Sequence, residues 1–467
     1  MIELSSFSPG WAFERQQYQE AYNAVREYKG AKLTEHDKFW LPTNKDADGE
    51  ILADQPRLVA RVRDLVRNNA WAKRIIRAKI DNIVGRQGMR PQIPGDKDLE
   101  KLLIDRLNNL DITGKQKWAG LLRQVCHAYI QDGESFGRLI IEGNRNKNRQ
   151  LKLQIIERDQ VYSNQTTEIS KDKEIRGGVE IDKRTGRHLA YYINSHPGET
   201  GALRLQDEER VLAMNMIHLF CRTRANQTRG VPEYYHSIIV ALRDIGEIVD
   251  SERVSFRVAS CLAALHIRKS FSAGDRNRKS QKIQRLTPGM IMEGQQGDDL
   301  KIIDPKRPGQ HFAPAMRTLL QSVAVGANMS YATISGDYEG PNFSAQRLDK
   351  IGEIRGYECD QFFIIDDFCQ RVSDEILKLE FLKGNAPDPD TVQVEWVPEG
   401  FEWVDPDKDV KAAIKLNKNL LESKKRIARK RGQDIETIQQ EIAEEQEREK
   451  ELGIFQEADL EAGDGDV

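Results

Sequence analysis

From Ile238 to Ile267 the chain runs thirty residues with no proline and a single glycine, Gly246. Leu242, Ile245, Val249, Phe256, Ala259 and Ala263 recur there at helical spacing, with Ile248 beside them and only Glu252 interrupting the stripe. Arg243, Glu247, Asp250, Arg253 and Arg257 occupy the other faces. The pattern predicts one helix over 238–267, about 45 Å long at 1.5 Å per residue. That is well above the length of an average globular helix, and it needs neighbours along its whole length, from its own chain or another. The rest of the sequence has to be fitted around that requirement.

The chain before this segment changes period once. Charged residues interleave with Trp11, Phe13, Tyr18, Tyr22, Tyr28, Phe39 and Trp40 in an N-terminal arm, 1–55, that suits packing on a neighbour or an ordinary irregular start. A helical pattern begins at Pro56 and stops at Gly85 and Gly88. Two more helices are expected over 97–110 and 115–131, ending at Asp132-Gly133. Strands follow over 134–142, 151–158, 175–181, 187–193 and 211–220, with a tight turn at Thr185-Gly186. After the long helix, seven Lys or Arg face one acidic residue, Asp275, between Arg268 and Arg285. Helices are then expected from Phe312 to Gly326 and from Ala345 to Leu382. A short strand lies in 391–404, anchored by Trp396, Phe401 and Trp403. Residues 409–452 read as helical and charge-segregated. Seven basic residues and one acidic fill 417–431, and eight acidic and two basic fill 434–451. The acidic residues 453–467 read as a disordered tail. Helices and strands in this order make an α+β chain.

Composition narrows the chemistry. A chain of 467 residues with 39% hydrophobic and 31% charged side chains has room for several domains or one elongated subunit, and its formal charge of −3 conceals the local runs above. Cys126, Cys221, Cys261, Cys359 and Cys369 form no CxxC pair and are odd in number, which suits a reducing compartment. With no long apolar run and no basic-then-apolar leader, the expectation is a cytoplasmically made protein without a membrane span. Gly133-Glu134-Ser135-Phe136-Gly137 fits the GxSxG string, but a nucleophile elbow needs a strand before the serine and a helix after it, and here the order is reversed. His218 and Cys221 lack a second pair to complete a metal site, and His218 reads as a buried core histidine. Asp298-Asp299 and Asp366-Asp367 would diverge on regular backbone. There is no phosphate-cradling GxxxxGK[ST] loop. No catalytic residue, metal or cofactor is expected. The basic run could meet phosphates without reading sequence, or be a solvated loop.

Several stretches then fall into a known order: Arg61–Leu65 with Arg67-Asn68-Asn69-Ala70, Asn82-Ile83-Val84-Gly85, Asp132-Gly133-Glu134 and His196-Pro197-Gly198. Ile217-His218-Leu219-Phe220, Arg229-Gly230-Val231-Pro232, Ser335-Gly336-Asp337-Tyr338 with Asn342-Phe343-Ser344, and Trp403-Val404-Asp405-Pro406 complete it. Over roughly residues 50–450 the chain resembles the lambda-type family of tailed-bacteriophage portal proteins. The resemblance implies a portal fold with wing, stem, clip and helical crown, assembled as a ring, usually of twelve, at one capsid vertex. Double-stranded DNA would pass its channel, without sequence recognition, during packaging and ejection. The implied partners are the terminase large subunit, head-completion or neck proteins, and major capsid and scaffold proteins, with no membrane. The implied location is the virion, with the host cytoplasm during assembly.

Carried onto this chain, the wing takes 56–237 and 345–408. The first stem helix takes 238–267 with Leu242, Ile245, Ile248, Val249 and Phe256, and the second stem helix 309–334. The clip takes 268–308, where Arg268, Lys269, Arg276, Arg278, Lys279, Lys282 and Arg285 would dock partners. A tunnel loop at 335–344 would present Asp337, Tyr338, Asn342 and Phe343, and the crown takes 409–452. The alternatives are a nuclease or other DNA-metabolism enzyme using the scattered carboxylates, or a different capsid structural protein.

Overall fold

The computed structural model describes residues 42, 44–143, 148–161, 167–194, 208–260, 264–268, 298–302, 312–338, 343–402 and 405–452. The chain divides into two units, Met1–Glu50 and Ile51–Val467. Of the first, only the residues around its last turn are described, so most of the expected N-terminal arm lies outside the described residues, as does the acidic tail.

The first helix, α1 (Ala47–Asn68), carries Pro56 inside it, whereas the sequence reading began the helix there. Proline lacks a donor and crowds the carbonyl four residues earlier, so it looks like a start. Here the neighbouring Gln55 is buried and donates to Glu134 Oε1 at 3.1 Å and to the Gly230 carbonyl, holding the helix through the proline. Asn69 then caps α2 (Ala70–Ile83), its side chain accepting from the Trp71 and Ala72 N–H groups. The buried positions Ala72, Ile75, Ile76, Lys79, Ile80 and Ile83 form one face. After β1 (Arg90–Gln92) come α3 (Lys97–Asn108) and α4 (Trp118–Asp132), the latter stopped by Gly133 at φ 84°.

Two sheets follow. One is three-stranded, with β2 (Glu134–Glu142) between β3 (Gln150–Ile156) and a later strand. The other is five-stranded: β4 (Thr167–Ser170), β5 (Lys173–Arg176), β6 (Val179–Asp182), β7 (His188–Asn194) and β8 (Glu208–Leu212), in sequential order. Residues 175–181, expected as one strand, instead fold back at Gly177-Gly178 (φ 53° and 84°), so that Arg176 faces Val179. Two left-handed residues between strands are what a tight hairpin requires. The expected strand 211–220 also divides. A 3-10 turn at Ala213–Asn215 carries the chain from β8, on β7, to β9 (Met216–Phe220), which completes the three-stranded sheet beside β2. The turn expected at Thr185-Gly186 is present, with Gly186 at φ 70° and the Asp182 carboxylate accepting from the Arg184 and Thr185 N–H groups.

The long segment is α5 (Ile239–Ser260), 22 residues and about 33 Å. The expectation that it continues to Ile267 is corrected: Ala264–Arg268 is a strand, β10, paired antiparallel with β11 (Asp298–Ile302) over five residue pairs. Ladder hydrogen bonds to a distant segment outweigh a helical preference that is weak per residue. The α6 helix (Phe312–Gly326) falls on the stretch expected to be helical, but the second stem helix carried over as 309–334 is corrected: the helix stops at Gly326, and Asn328 has left-handed backbone, φ 52°, before the next helix begins. A short α7 (Tyr331–Ser335) precedes α8 (Phe343–Ile364), a π-turn (Ile365–Cys369) and α9 (Gln370–Leu382). That turn inserts a wider loop of backbone into the expected 345–382 helix and keeps Ile364, Phe368, Cys369, Val372 and Ile376 facing the core. The β12 strand (Glu395–Val397) pairs with β1. The expected crown is three helices, α10 (Pro406–Lys418), α11 (Lys424–Lys430) and α12 (Ile435–Leu452).

The main core joins α2, α3, α4, α8 and α9 to β2, β3 and β9, and a smaller one lies between the two sheets around Phe136, Val179, Tyr191 and Val211. Segments far apart in sequence thus share one core, the mixed α+β arrangement expected. Among the described residues no helix is long and apolar enough to cross a membrane.

Candidate functional site

The first turns of α5 are anchored in the core. Leu242 and Ile245 are fully buried, and the Leu242 carbonyl accepts from Asn69 Nδ2 at 3.2 Å. Further along, three apolar side chains are open to solvent. Ile248 is exposed, Val254 is 56% exposed and Phe256 49%. Val249 and Glu252 instead face a groove of about 790 Å³ between α5 and α6, lined also by Trp71, Phe256, Phe312, Met316, Arg317, Tyr331 and Asp337. Arg317 lies over the Tyr331 ring at 5.4 Å. This groove gathers three residues expected from sequence, Val249, Phe256 and Asp337. Trp71, Phe312, Met316 and Tyr331 were not singled out, because they come from three separate segments. One signal was present: Glu252, which breaks the apolar stripe of α5, is buried at the groove wall.

Asp337 and Tyr338 follow α7. Asp337 accepts from the Tyr331 hydroxyl at 3.3 Å and its N–H donates to Ser335 Oγ at 3.1 Å, while Tyr338 is 64% exposed. Asn342 lies outside the described residues, and Phe343 is the first residue of α8 rather than part of a loop. Of the basic run, Arg268 ends β10 opposite Asp298. Lys269, Arg276, Arg278, Lys279, Lys282 and Arg285 lie outside the described residues.

Three of the stretches that carried the resemblance, Asp132-Gly133-Glu134, Ile217–Phe220 and Arg229–Pro232, meet at one buried carboxylate. Glu134, fully buried at the start of β2, accepts from Arg229 Nη2 at 2.6 Å and Nε at 2.9–3.0 Å, from the Gly230 N–H at 3.0 Å and from His218 Nε2 at 3.1 Å. Arg158 approaches at 3.2 Å. Arg229 also donates to the Val161 and Gly177 carbonyls. Burial alone would raise the Glu134 pKa, but the Arg229 charge and the His218 and Arg229 hydrogen bonds outweigh it, and Glu134 is held well below the usual carboxylate range. The backbones of the two motifs touch, since a Cβ at Gly133 or Gly230 would strike the other motif's carbonyl. Next to Glu134, Asp132 pairs with Arg63 at 2.6 Å.

The local geometry does not form a nucleophile elbow. Ser135 alternates to the opposite face of β2 from Glu134 and faces Leu219, away from His218, and α4 precedes the strand. The GxSxG match is a helix-end turn running into a strand. His218 is the buried histidine expected, its pKa lowered by burial. Among the described residues no group of three or more His, Cys, Asp or Glu could hold a metal.

Comparison with known proteins places this geometry. The model of the family described as phage portal protein, lambda family, matches residues 34–361. A probable portal protein of Halomonas phage phiHAP-1 is 27% identical over 92% of this chain and 88% of its own. Portal protein B of Escherichia phage lambda is 22% identical over 88% of this chain and 87% of its own. Among solved structures, a chain of the virion of a native gene transfer agent particle is 12% identical, covering 80% of this chain and 93% of its own, with a TM-score of 0.44. A portal protein of the HK97 family from Corynebacterium diphtheriae is 10% identical, covering 77% and 96%, with a TM-score of 0.30.

Proposed function

The chain belongs to the lambda family of phage portal proteins, and from that premise we propose that it closes into a ring, of the twelve subunits usual in the family, at one capsid vertex. Double-stranded DNA enters and later leaves through the ring without being read. The observation that carries this is the family match across 34–361, which includes both long helices and the groove between them.

In this reading α5 and α6 form the stem. The outward apolar residues of α5 and the open groove beside them are two sides of a heterologous contact, which closes on itself when repeated around an axis. The β10–β11 pair is the root of the clip, and its basic residues dock first the terminase large subunit and then the head-completion or neck proteins. Scaffold and major capsid proteins surround the ring, which assembles in the host cytoplasm and ends in the virion. The role is structural, with the chemistry of packaging done by a separate motor protein.

Negative-stain imaging of the purified chain with rotational analysis tests this: closed rings with a central hole are expected. Phe256→Ser, at a half-exposed position, should leave the subunit's melting near the parent's and reduce ring yield. A parent chain that stays a small, discrete particle at every concentration would sink the reading.

A further inference from the structure

The last three helices carry a surface that the stem and clip do not use. None of the 18 residues of α12 is buried. Its Glu441, Glu444, Glu445, Glu447, Glu449 and Glu451 are exposed and form no ion pair among the described residues. Ile442 and Leu452 are exposed on the same helix.

The elbow between α10 and α11 is its opposite in charge and equally open. Lys411, Lys415, Lys418, Lys424, Lys425 and Arg426 are exposed, again without an ion pair among the described residues. They surround exposed Leu421 and Leu420, the latter 93% exposed. Leu420 also has left-handed backbone, φ 58°. It sits where α10 ends in a double hydrogen bond, Leu420 N–H to the Asn417 carbonyl at 3.1 Å and Leu421 N–H to the Leu416 carbonyl at 2.9 Å. That position normally takes glycine, because a Cβ is strained there. A strained leucine pointing at solvent is explained when something covers it.

We propose that the cover is a second copy of this chain: α12 of one subunit lies over the α10–α11 elbow of its neighbour. Its glutamates meet the lysine cluster, and its Ile442 and Leu452 meet Leu420 and Leu421. The complementarity argues for this occupant. Residues 417–431 hold seven basic side chains against one acidic, and 434–451 hold eight acidic against two basic. The two surfaces belong to one chain, yet among the described residues no ion pair joins α12 to the lysines of the elbow; Arg429, Lys430 and Asp434 pair instead with Glu395, Glu422 and Lys97. A ring joins unlike faces of identical subunits, so each copy gives one clasp and receives one. The inference rests on the ring reading and adds a second seam to it.

Three full-length variants test it: E441K/E444K/E445K, K418E/K424E/K425E, and the six combined. Ring population is followed by mass photometry against protein and salt concentration. Each triple should weaken assembly about tenfold at 0.15 M NaCl, as three modest ion pairs would, with the difference shrinking at high salt. The combined variant should recover most of the loss. Leu420→Gly should melt no lower than the parent, since strain is relieved, and still assemble less well, which keeps the test sound if a charge variant folds poorly. Parent-like assembly of both triples and of L420G overturns the inference while leaving the ring reading intact. Loss without recovery in the combined variant also overturns it, because the two faces would then have different partners. Absence of rings in the parent removes the ring reading itself.

Discussion

Glu134 and Arg229 are both shielded completely from solvent. A buried pair of this kind is poor evidence of added stability, but breaking it leaves an uncompensated charge and costs about 3–5 kcal/mol. Arg229→Met should therefore lower stability by about that amount in denaturant melts, and adding Glu134→Gln should restore part of it. By contrast Ser135→Ala should fold within about 1 kcal/mol of the parent and form rings equally well. Loss of assembly in an otherwise intact S135A would contradict the placement of its side chain away from His218.

His188 supplies a pH dependence. It accepts or donates at Tyr191 Oη (2.9 Å) and stacks near His218 and Phe220. Burial, then the charges of His218, Arg222 and Arg229, lower its pKa to about 3. An unfolded chain takes up this proton near the ordinary histidine value of about 6.5, so below that pH protonation favours unfolding. Stability from this residue is full above about 6.5 and falls as pH drops toward about 3. His188→Phe should flatten the melting profile over that window, and an unchanged slope would refute the assignment.

At the scale of elements, α5 illustrates what a sequence carries. Its presence, its stripe and its start were legible, since the absence of proline and a period of three to four are local properties. Its end was not. Ala264–Arg268 becomes strand through pairing with Asp298–Ile302, about thirty residues on, and no window around 264 contains that partner. The same reason hid the hairpin at Gly177-Gly178 and the change of sheet at Ala213–Asn215. The Phe312–Gly326 helix, bounded by its own composition, was legible in place and length, although the stem helix of 309–334 that the resemblance implied ran past its end. The groove was legible only in part: Val249, Phe256 and Asp337 were marked, but the aromatic walls required the fold. Ile248→Pro tests the element directly. It removes a backbone donor midway along α5 and costs about 3 kcal/mol or more. Rings of parent size and yield from I248P would show that α5 is not the stem.

For the whole molecule, charge is distributed so that the formal total of −3 says almost nothing about what any face meets. The segment between β10 and β11 contains six of the seven basic residues of the run, with Arg268 at its root. If that segment is the clip, its positive charge serves to choose partners and hasten encounter, effects that weaken as the screening length shortens to about 8 Å at physiological salt. Reversing Arg276, Arg278 and Lys279 to Glu should leave the ring intact, because none of the three lies within α5 or α6. Binding of purified terminase large subunit to such rings should weaken and lose much of its salt dependence. Were these side chains touching DNA phosphates instead, terminase binding would be unchanged, and non-specific duplex binding would lose roughly 0.9 in salt slope for each contact removed. The two outcomes separate cleanly in one salt titration with both ligands. Unchanged terminase affinity across it, with rings still assembled, would rule out docking, and a reduced duplex salt slope beside it would assign the basic run to DNA.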